Sequence, residues 1–398
     1  MSSKPLTICL LTSSFPSHPR DHVAAPFLPP FLAALESQGV RTMVYTQERP
    51  GLHEPVLDVP MRRFPWGGGE MPIAQLKPYL PSHAWHLARL GWGGTCHIVP
   101  WLQAQQVDLC LAAWTIPSGY FAYHAKRVLG IPYCVWALGS DIYKLARYPG
   151  LRWVIQRVLR QADGLFADGL DLGERVQTLA GRSCHFLPSV RPLPDDGPAD
   201  HVPVDSTYTN FLFVGRWEKV KGIDVLIEAM RLLRQTHVAA RLYVIGKGSL
   251  KHTLEQTIRT HALGETIVLC EDVATATLRG YLAQCDCLVI PSRSDSIPLV
   301  FSEGVHAALP MIVSATGDLP ALVQRFQLGA VVAPGDVGQL QHALADFVAQ
   351  RARPAQPQPA FQAAGALFDL QQATAAFIHQ AQHIVRQSST PTRLRVRA

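Results

Sequence analysis

The sequence runs to 398 residues with 48% apolar and 17% charged residues and a formal charge of +6; it is too long for one core and too apolar for disorder, so two globular domains are expected. No apolar run reaches the ~18 residues of a membrane span, and MSSKPLTICLLTSSFP lacks the basic start and small-residue cleavage site of a signal peptide, so a cytoplasmic protein is expected. The charge forms no dense basic stripe and no recognisable nucleic-acid motif, which excludes a nucleic-acid binder.

From the N-terminus, short β-branched runs alternate with amphipathic stretches, the pattern of parallel sheets with helices on both faces. Residues 6–12 read as a strand, 26–39 as a helix with Gly39 just past its end, and 40–47 as the next strand. Residues 48–105, with Gly67 to Gly69 and Gly91 to Gly94, have poor periodicity and read as loops and a helical hairpin at a cleft rim. Then follow a strand at 108–114, a helix at 118–129, a strand at 131–138, a helix near 150–162 and a strand at 164–168. Residues 189–208, rich in Pro and Asp, read as a linker.

The second half restarts the grammar. Strands are expected at 210–215, 241–246, 265–270, 286–292 and 310–315, each followed by a helical run such as IDVLIEAMRLLRQ at 223–235. The expected organisation is a first domain over 1–188, the linker, a second domain over 209–362 ending in a Pro/Gln stretch at 351–362, a helix at 363–386 packing back on the first domain, and a basic tail at 387–398. All eight cysteines are expected to be free: there is no Cys-x-x-Cys pair, and Cys285 and Cys287 flank Asp286 with both side chains on one packing face. Residues 1–190 hold 17 Lys and Arg against 12 Asp and Glu, the remainder 19 against 18. A mildly basic first half fits an anionic membrane face or an acidic acceptor, and equally a solvated surface with a small surplus.

Open parallel sheets bind ligands at the carboxyl ends of their strands, so the residues just after each strand carry the information. After the strand at 210–215 comes GRWEKVKG, residues 215–222. Gly215 permits close backbone approach, a helix follows, and Arg216 and Lys221 supply two cations of the kind that neutralise a diphosphate; in isolation the segment also fits a solvated basic loop. The turn Gly246-Lys247-Gly248 is a weak signal alone. After the strand at 286–292 comes a loop with Asp295, then a helix starting near Pro298, where a missing N–H is harmless. The amides of Leu299 and Val300 are left for a phosphate, and Glu303 lies eight residues beyond Asp295. The plainer alternatives are Asp295 as a helix cap and Glu303 as a surface residue.

Taken together, GRWEKVKG, the G-x-G turn and P-S-x-x-D-x₇-E-G-x₅-P resemble the retaining glycosyltransferases of family four, joined by residues 13–27, 114–122 and 135–142 in the first half. The resemblance implies an α/β chain of GT-B architecture, two Rossmann-like doubly wound domains facing a cleft. It implies a hexosyltransferase-type enzyme that moves a sugar from a nucleotide-diphosphate sugar to a glycan or lipid-linked acceptor, with retention and without metal or cofactor. It assigns Arg216 and Lys221 to the donor diphosphate, Glu303 to the ribose, Asp295 to donor-sugar hydroxyls, Ile297 to Val300 to phosphate, and Val273 to the base. Gly215, Gly246, Gly248 and Pro298 complete the donor set; Trp114, Ser140 and Asp141 fall to the acceptor side, and Asp295, Glu303 and Asp141 are the catalytic candidates. No D-x-D triplet occurs, which fits a leaving nucleotide stabilised by cations and a helix dipole. Departures from the family pattern are Asp295 for Glu, Pro298 for Gly, Leu138 for His, and Ala24-Ala25 for glycines. They motivate an alternative, a catalytically silent relative serving as a binding subunit in glycan assembly; sugar-nucleotide epimerisation is a third reading, disfavoured by the D-x₇-E spacing. A cytoplasmic location, with contact at the inner membrane face as its extension, completes the expectation.

Overall fold

The computed structural model describes residues 4–18, 24–49, 56–69, 76, 80–193, 199–271, 273–350 and 359–389. The chain divides into two compact units, 1–190 with 370–398, and 191–369.

In unit 1 the chain forms β1 (Thr7–Thr12), α1 (Leu28–Ser37), β2 (Arg41–Gln47), β3 (Met61–Phe64), α2 (Pro81–Gln105), β4 (Leu109–Ala113), α3 (Ser118–Leu129), β5 (Tyr133–Ala137), α4 (Ser140–Tyr143), α5 (Pro149–Gln161), β6 (Gly164–Ala167), α6 (Leu170–Ala180) and β7 (His185–Phe186). The sheet is parallel, in the order β3-β2-β1-β4-β5-β6-β7. Its central strands are buried end to end, as parallel strands covered on both faces must be. One layer of the core joins α2, α3, α5 and α6 to the sheet through Leu90, Ile98, Phe121, Ile155, Val158 and Val176.

The hairpin expected within 48–105 is instead one 25-residue helix, α2. Two of its three glycines are sites of close approach: a Cβ on Gly93 would strike the Pro65 carbonyl, and one on Gly94 the Phe121 ring.

Unit 2 repeats the plan: β8 (Thr209–Val214), α7 (Ile223–Arg234), β9 (Ala240–Ile245), α8 (Lys251–Thr260), β10 (Ile267–Cys270), α9 (Thr275–Gln284), β11 (Cys287–Ile290), α10 (Leu299–His306), β12 (Met311–Ser314), α11 (Leu319–Phe326), β13 (Gly329–Val332), α12 (Val337–Gln350) and α13 (Pro359–Gly365). Its parallel order is β10-β9-β8-β11-β12-β13. The apolar stripe of α7, Ile223, Leu226, Met230 and Leu233, lies in the core with Phe211, Leu242 and Ile312.

Two boundaries differ from expectation. Part of the expected linker is built into unit 2: Val202 is buried and the Asp200 carboxylate accepts from Thr277 Oγ1 at 2.6 Å. The single helix expected over 363–386 is broken at Asp369, giving α13, a turn of 3₁₀ helix at Ala366–Phe368, and α14 (Leu370–Ser389). The break follows the packing: Phe368 meets Phe301 edge to face at 5.7 Å within unit 2, whereas α14 sets Phe377 against Phe31 of α1 and Phe166 of β6 within unit 1. Residues 351–358 of the Pro/Gln stretch and 390–398 of the basic tail lie outside the described residues. The cysteines are free; Cys285 and Cys287, on either side of Asp286, are both buried, and burial pushes the Cys110 thiol up to about 12.

Candidate functional site in unit 2

Strand order reverses direction between β8 and β11, and at such a switch point the loops leaving the two strands diverge to leave a crevice at their carboxyl ends. These are the loops 215–222 and 291–298. They are laced together: the Arg293 amide donates to the Val220 carbonyl at 2.8 Å, and its guanidinium holds the Lys219 carbonyl and both oxygens of Asp224, the latter at 2.6 and 2.9 Å. Gly222, at φ +70°, must be glycine because a Cβ there would overlap the Pro291 carbonyl.

Lys221 and Asp295 meet across this lacing. Lys221 Nζ donates to Asp295 Oδ1 at 2.8 Å and Oδ2 at 2.9 Å, with both side chains about four-fifths buried. The cation expected to meet a diphosphate and the carboxylate expected to meet a sugar therefore neutralise one another. Arg216 is exposed and has no ion pair among the described residues.

The turn after β9 braces the same loop. Trp217 N–H donates to the Lys247 carbonyl at 3.0 Å. Gly246, at φ +142°, presses on Gly215, and a Cβ on Gly248 would meet the Trp217 backbone. The expected G-x-G residues are thus the floor on which Gly215 and Arg216 rest. Val273 is half-exposed between β10 and α9, at the sheet edge two strands from β8.

Helix α10 starts after Pro298, which is extended at φ −69°, ψ 145° and offers no side-chain cap. The amides of Leu299 and Val300 donate to nothing among the described residues, leaving the positive end of the helix open to an anion. Ile297 and Val300 are buried, fixing the backbone there.

Glu303, one turn on, is only 3% exposed, so the plainer expectation of a surface residue is overturned. Its Oε1 accepts from Arg191 Nε at 2.7 Å and lies 2.5 Å from Nη2, while Oε2 is buried with no partner. Burial pushes the carboxyl above the usual range and the Arg191 cation pulls it back only in part. Arg191 was not singled out from the sequence, because it sits in a Pro-rich stretch with no periodic pattern. Arg293 was missed too, although its place two residues before Asp295 was a signal.

In unit 1 the acceptor-side candidates meet at the ends of β4 and β5. Trp114 leaves β4 at φ +71°, ahead of a cis Ile116–Pro117 bond. Asp141 is 1% exposed, and its Oδ2 accepts from the Thr115 amide at 2.6 Å. Oδ1 and the hydroxyls of Thr115 and Ser118 are buried without hydrogen-bond partners. Burial raises the Asp141 carboxyl above its ordinary value, opposed mainly by the Thr115 amide. Ser140 is exposed at the first position of α4, and Leu138 is half-buried.

Residues 200–361 match the family model for glycosyl transferases group 1. A glycogen synthase of Mycobacterium tuberculosis is 27% identical over 199 residues, 47% of this chain and 46% of that protein, so the chain spans about half the length of this curated relative. A teichuronic acid biosynthesis glycosyltransferase, TuaC, named as putative in Bacillus subtilis, is 25% identical over 293 residues, covering 71% of this chain and 72% of TuaC. The crystal structure of Anabaena HepE in complex with UDP and glucose superposes with a TM-score of 0.71 over 95% of this chain and 100% of HepE, at 16% identity. The fold is GT-B, and the stretch similar to glycosyl transferases group 1 falls in unit 2.

Proposed function

We propose that this protein transfers a sugar from a nucleotide-diphosphate sugar to a glycan or glycolipid acceptor, without metal and with retention of configuration. The observation that carries the proposal is the convergence, at one switch point, of two cations, an uncapped helix start and a buried carboxylate with one free oxygen. Arg216 and Lys221 take the diphosphate with the Leu299 and Val300 amides, and Glu303 Oε2 accepts from a ribose hydroxyl. Arg191 holds Glu303 in place and favours its anionic form against the effect of burial. As the bond from the sugar to the diphosphate breaks, negative charge grows on the leaving phosphate, and preoriented cations and amides stabilise it without reorganising. A diphosphate competes for Lys221, which frees Asp295 for the donor-sugar hydroxyls. On the acceptor side, Ser140, Asp141 and Trp114 are the contacts carried over from the family resemblance, as is retention itself.

The second reading, a silent binding subunit, is favoured by two features: Lys221 and Asp295 are satisfied by each other, and Leu138 stands where the family has His. Purified protein incubated with UDP-, GDP- and ADP-sugars decides between them. Donor hydrolysis that persists in excess EDTA supports the transferase; donor-induced thermal stabilisation with no turnover supports the silent subunit; loss of turnover on chelation overturns metal independence.

A further inference from the structure

Helices α2, α3 and α5 share one layer of the unit 1 core, and their outer sides carry an unusual set of residues. Indoles are seldom left in water, yet Trp92 is 75%, Trp153 69% and Trp85 63% exposed. On α2, Trp85, Arg89, Trp92 and Cys96 recur at helical spacing and are all exposed, so they line one stripe that faces away from the sheet. On α5 the exposed positions are Arg152, Trp153, Arg157 and Arg160, preceded by the exposed Tyr148. Between them α3 exposes Tyr120 and Arg127, and Tyr123 joins it to α5: the Arg157 guanidinium donates to Tyr123 Oη at 3.2 Å.

The charge is as lopsided as the exposure. Residues 81–161 hold eight Lys and Arg and two acids, Asp108 and Asp141. Neither acid balances this surface: Asp108 binds the Thr7 amide and Lys4 at the start of β4, and Asp141 is buried. Arg89, Arg127, Arg152, Arg157 and Arg160 have no acidic partner among the described residues. The modest surplus of the first half is thus concentrated on one side.

We propose that the outer face of α2, α3 and α5 docks this protein on an anionic lipid surface. Exposed Trp and Tyr beside Arg is the composition that rests at a headgroup boundary, the rings in the acyl edge and the guanidiniums on lipid phosphates. No described helix is long and apolar enough to cross a membrane, so the attachment is peripheral. A second copy of the same face is a poor occupant, because it would bring unpaired arginines together with no exposed acid to meet them. The inference stands apart from the glycosyl-transfer reading and is tested without donor or turnover.

The test is co-sedimentation of the full chain with phosphatidylcholine vesicles with and without phosphatidylglycerol, at low and high salt. The protein should pellet with the anionic vesicles alone, and less at high salt as the charge is screened. Arg152→Glu with Arg160→Glu, both exposed, should weaken binding at least about tenfold, since each basic residue near an anionic surface contributes on the order of 1 kcal/mol. Trp85→Ser with Trp92→Ser should reduce tryptophan quenching by brominated acyl chains to the share of Trp153 while leaving circular dichroism unchanged. The proposal is overturned if the protein stays in the supernatant with anionic vesicles, if both double variants bind as the parent does, if they abolish a concentration-dependent dimer in sedimentation velocity, or if a single-stranded oligonucleotide binds this face more tightly than the vesicles.

Discussion

Each unit buries two carboxylates past the carboxyl ends of its strands, Asp141 and Asp168 in the first and Glu303 and Asp318 in the second, and of these Asp141 and Glu303 are held in different ways. Asp141 has no cation: backbone amides, chiefly Thr115, oppose its desolvation. Glu303 has Arg191 on one oxygen and nothing on the other. Asp141 ties two loops through the Thr115 amide on one oxygen, and its other oxygen is buried without a partner, so no cation is stranded when its charge is removed. Both carboxylates leave one buried oxygen without a partner, but a buried ion pair costs desolvation that apolar packing would avoid, and only Glu303 keeps one beside an open helix start. The comparison separates a carboxylate held without a cation from one held by an ion pair, the one proposed to meet the ribose.

The largest expected effect breaks the second arrangement. Arg191→Ala leaves Glu303 buried without its cation, and the expected loss of stability is about 3–5 kcal/mol, measured by urea unfolding. Its pH dependence sharpens the point. A buried acid whose folded value is raised keeps its proton longer in the native state, so its contribution is full at low pH and lost as pH rises through that raised value. Removing Arg191 raises it further, so the variant should lose stability more steeply than the parent as pH rises above the ordinary carboxylate range; parallel curves would mean that Arg191 does not neutralise Glu303.

Next is Gly222→Ala, which puts a Cβ at φ +70° against the Pro291 carbonyl. It should cost about 1–3 kcal/mol and weaken nucleotide binding with it, because the same contact laces the loops 215–222 and 291–298. A variant destabilised by that amount but binding nucleotide normally would uncouple the lacing from the site.

The smallest effect falls on Asp141. Asn keeps an acceptor for the Thr115 amide and removes the charge, so Asp141→Asn should change stability at pH 7 by less than about 1 kcal/mol and flatten its decline with rising pH. The same substitution logic at Glu303, Glu303→Gln, should weaken the Arg191 pair and raise the apparent donor KM. Equal behaviour of the two variants would erase the distinction.

How far this was legible in the sequence follows from what each feature depends on. The central strands announce themselves as continuous apolar runs because both faces are covered, and the residues at their carboxyl ends were found for that reason. The short edge strands β3, β7 and β13 were not: two to four residues with one neighbour leave little pattern. The glycines of α2 read as breaks, and only the packing of Pro65 and Phe121 against them explains a continuous helix. The pairing of Lys221 with Asp295, 74 residues apart, and of Arg191 with Glu303, 112 apart, depends on the switch-point topology. The residue types in GRWEKVKG and the D-x₇-E spacing were visible; that each acid already holds a cation was not.

The central claim is that the switch point of unit 2 receives a nucleoside diphosphate through cations that are otherwise idle or internally paired. The direct test is calorimetric titration of UDP, GDP and ADP, with the matching nucleosides, into the parent protein, Arg216→Ala and Lys221→Ala. One diphosphate should bind the parent, and each variant should bind it about 10- to 100-fold more weakly, the loss of a charged hydrogen bond worth about 1.5–3 kcal/mol, with nucleoside affinity unchanged. Diphosphate binding equal in all three proteins, or absent from the folded parent for every base, would contradict the account.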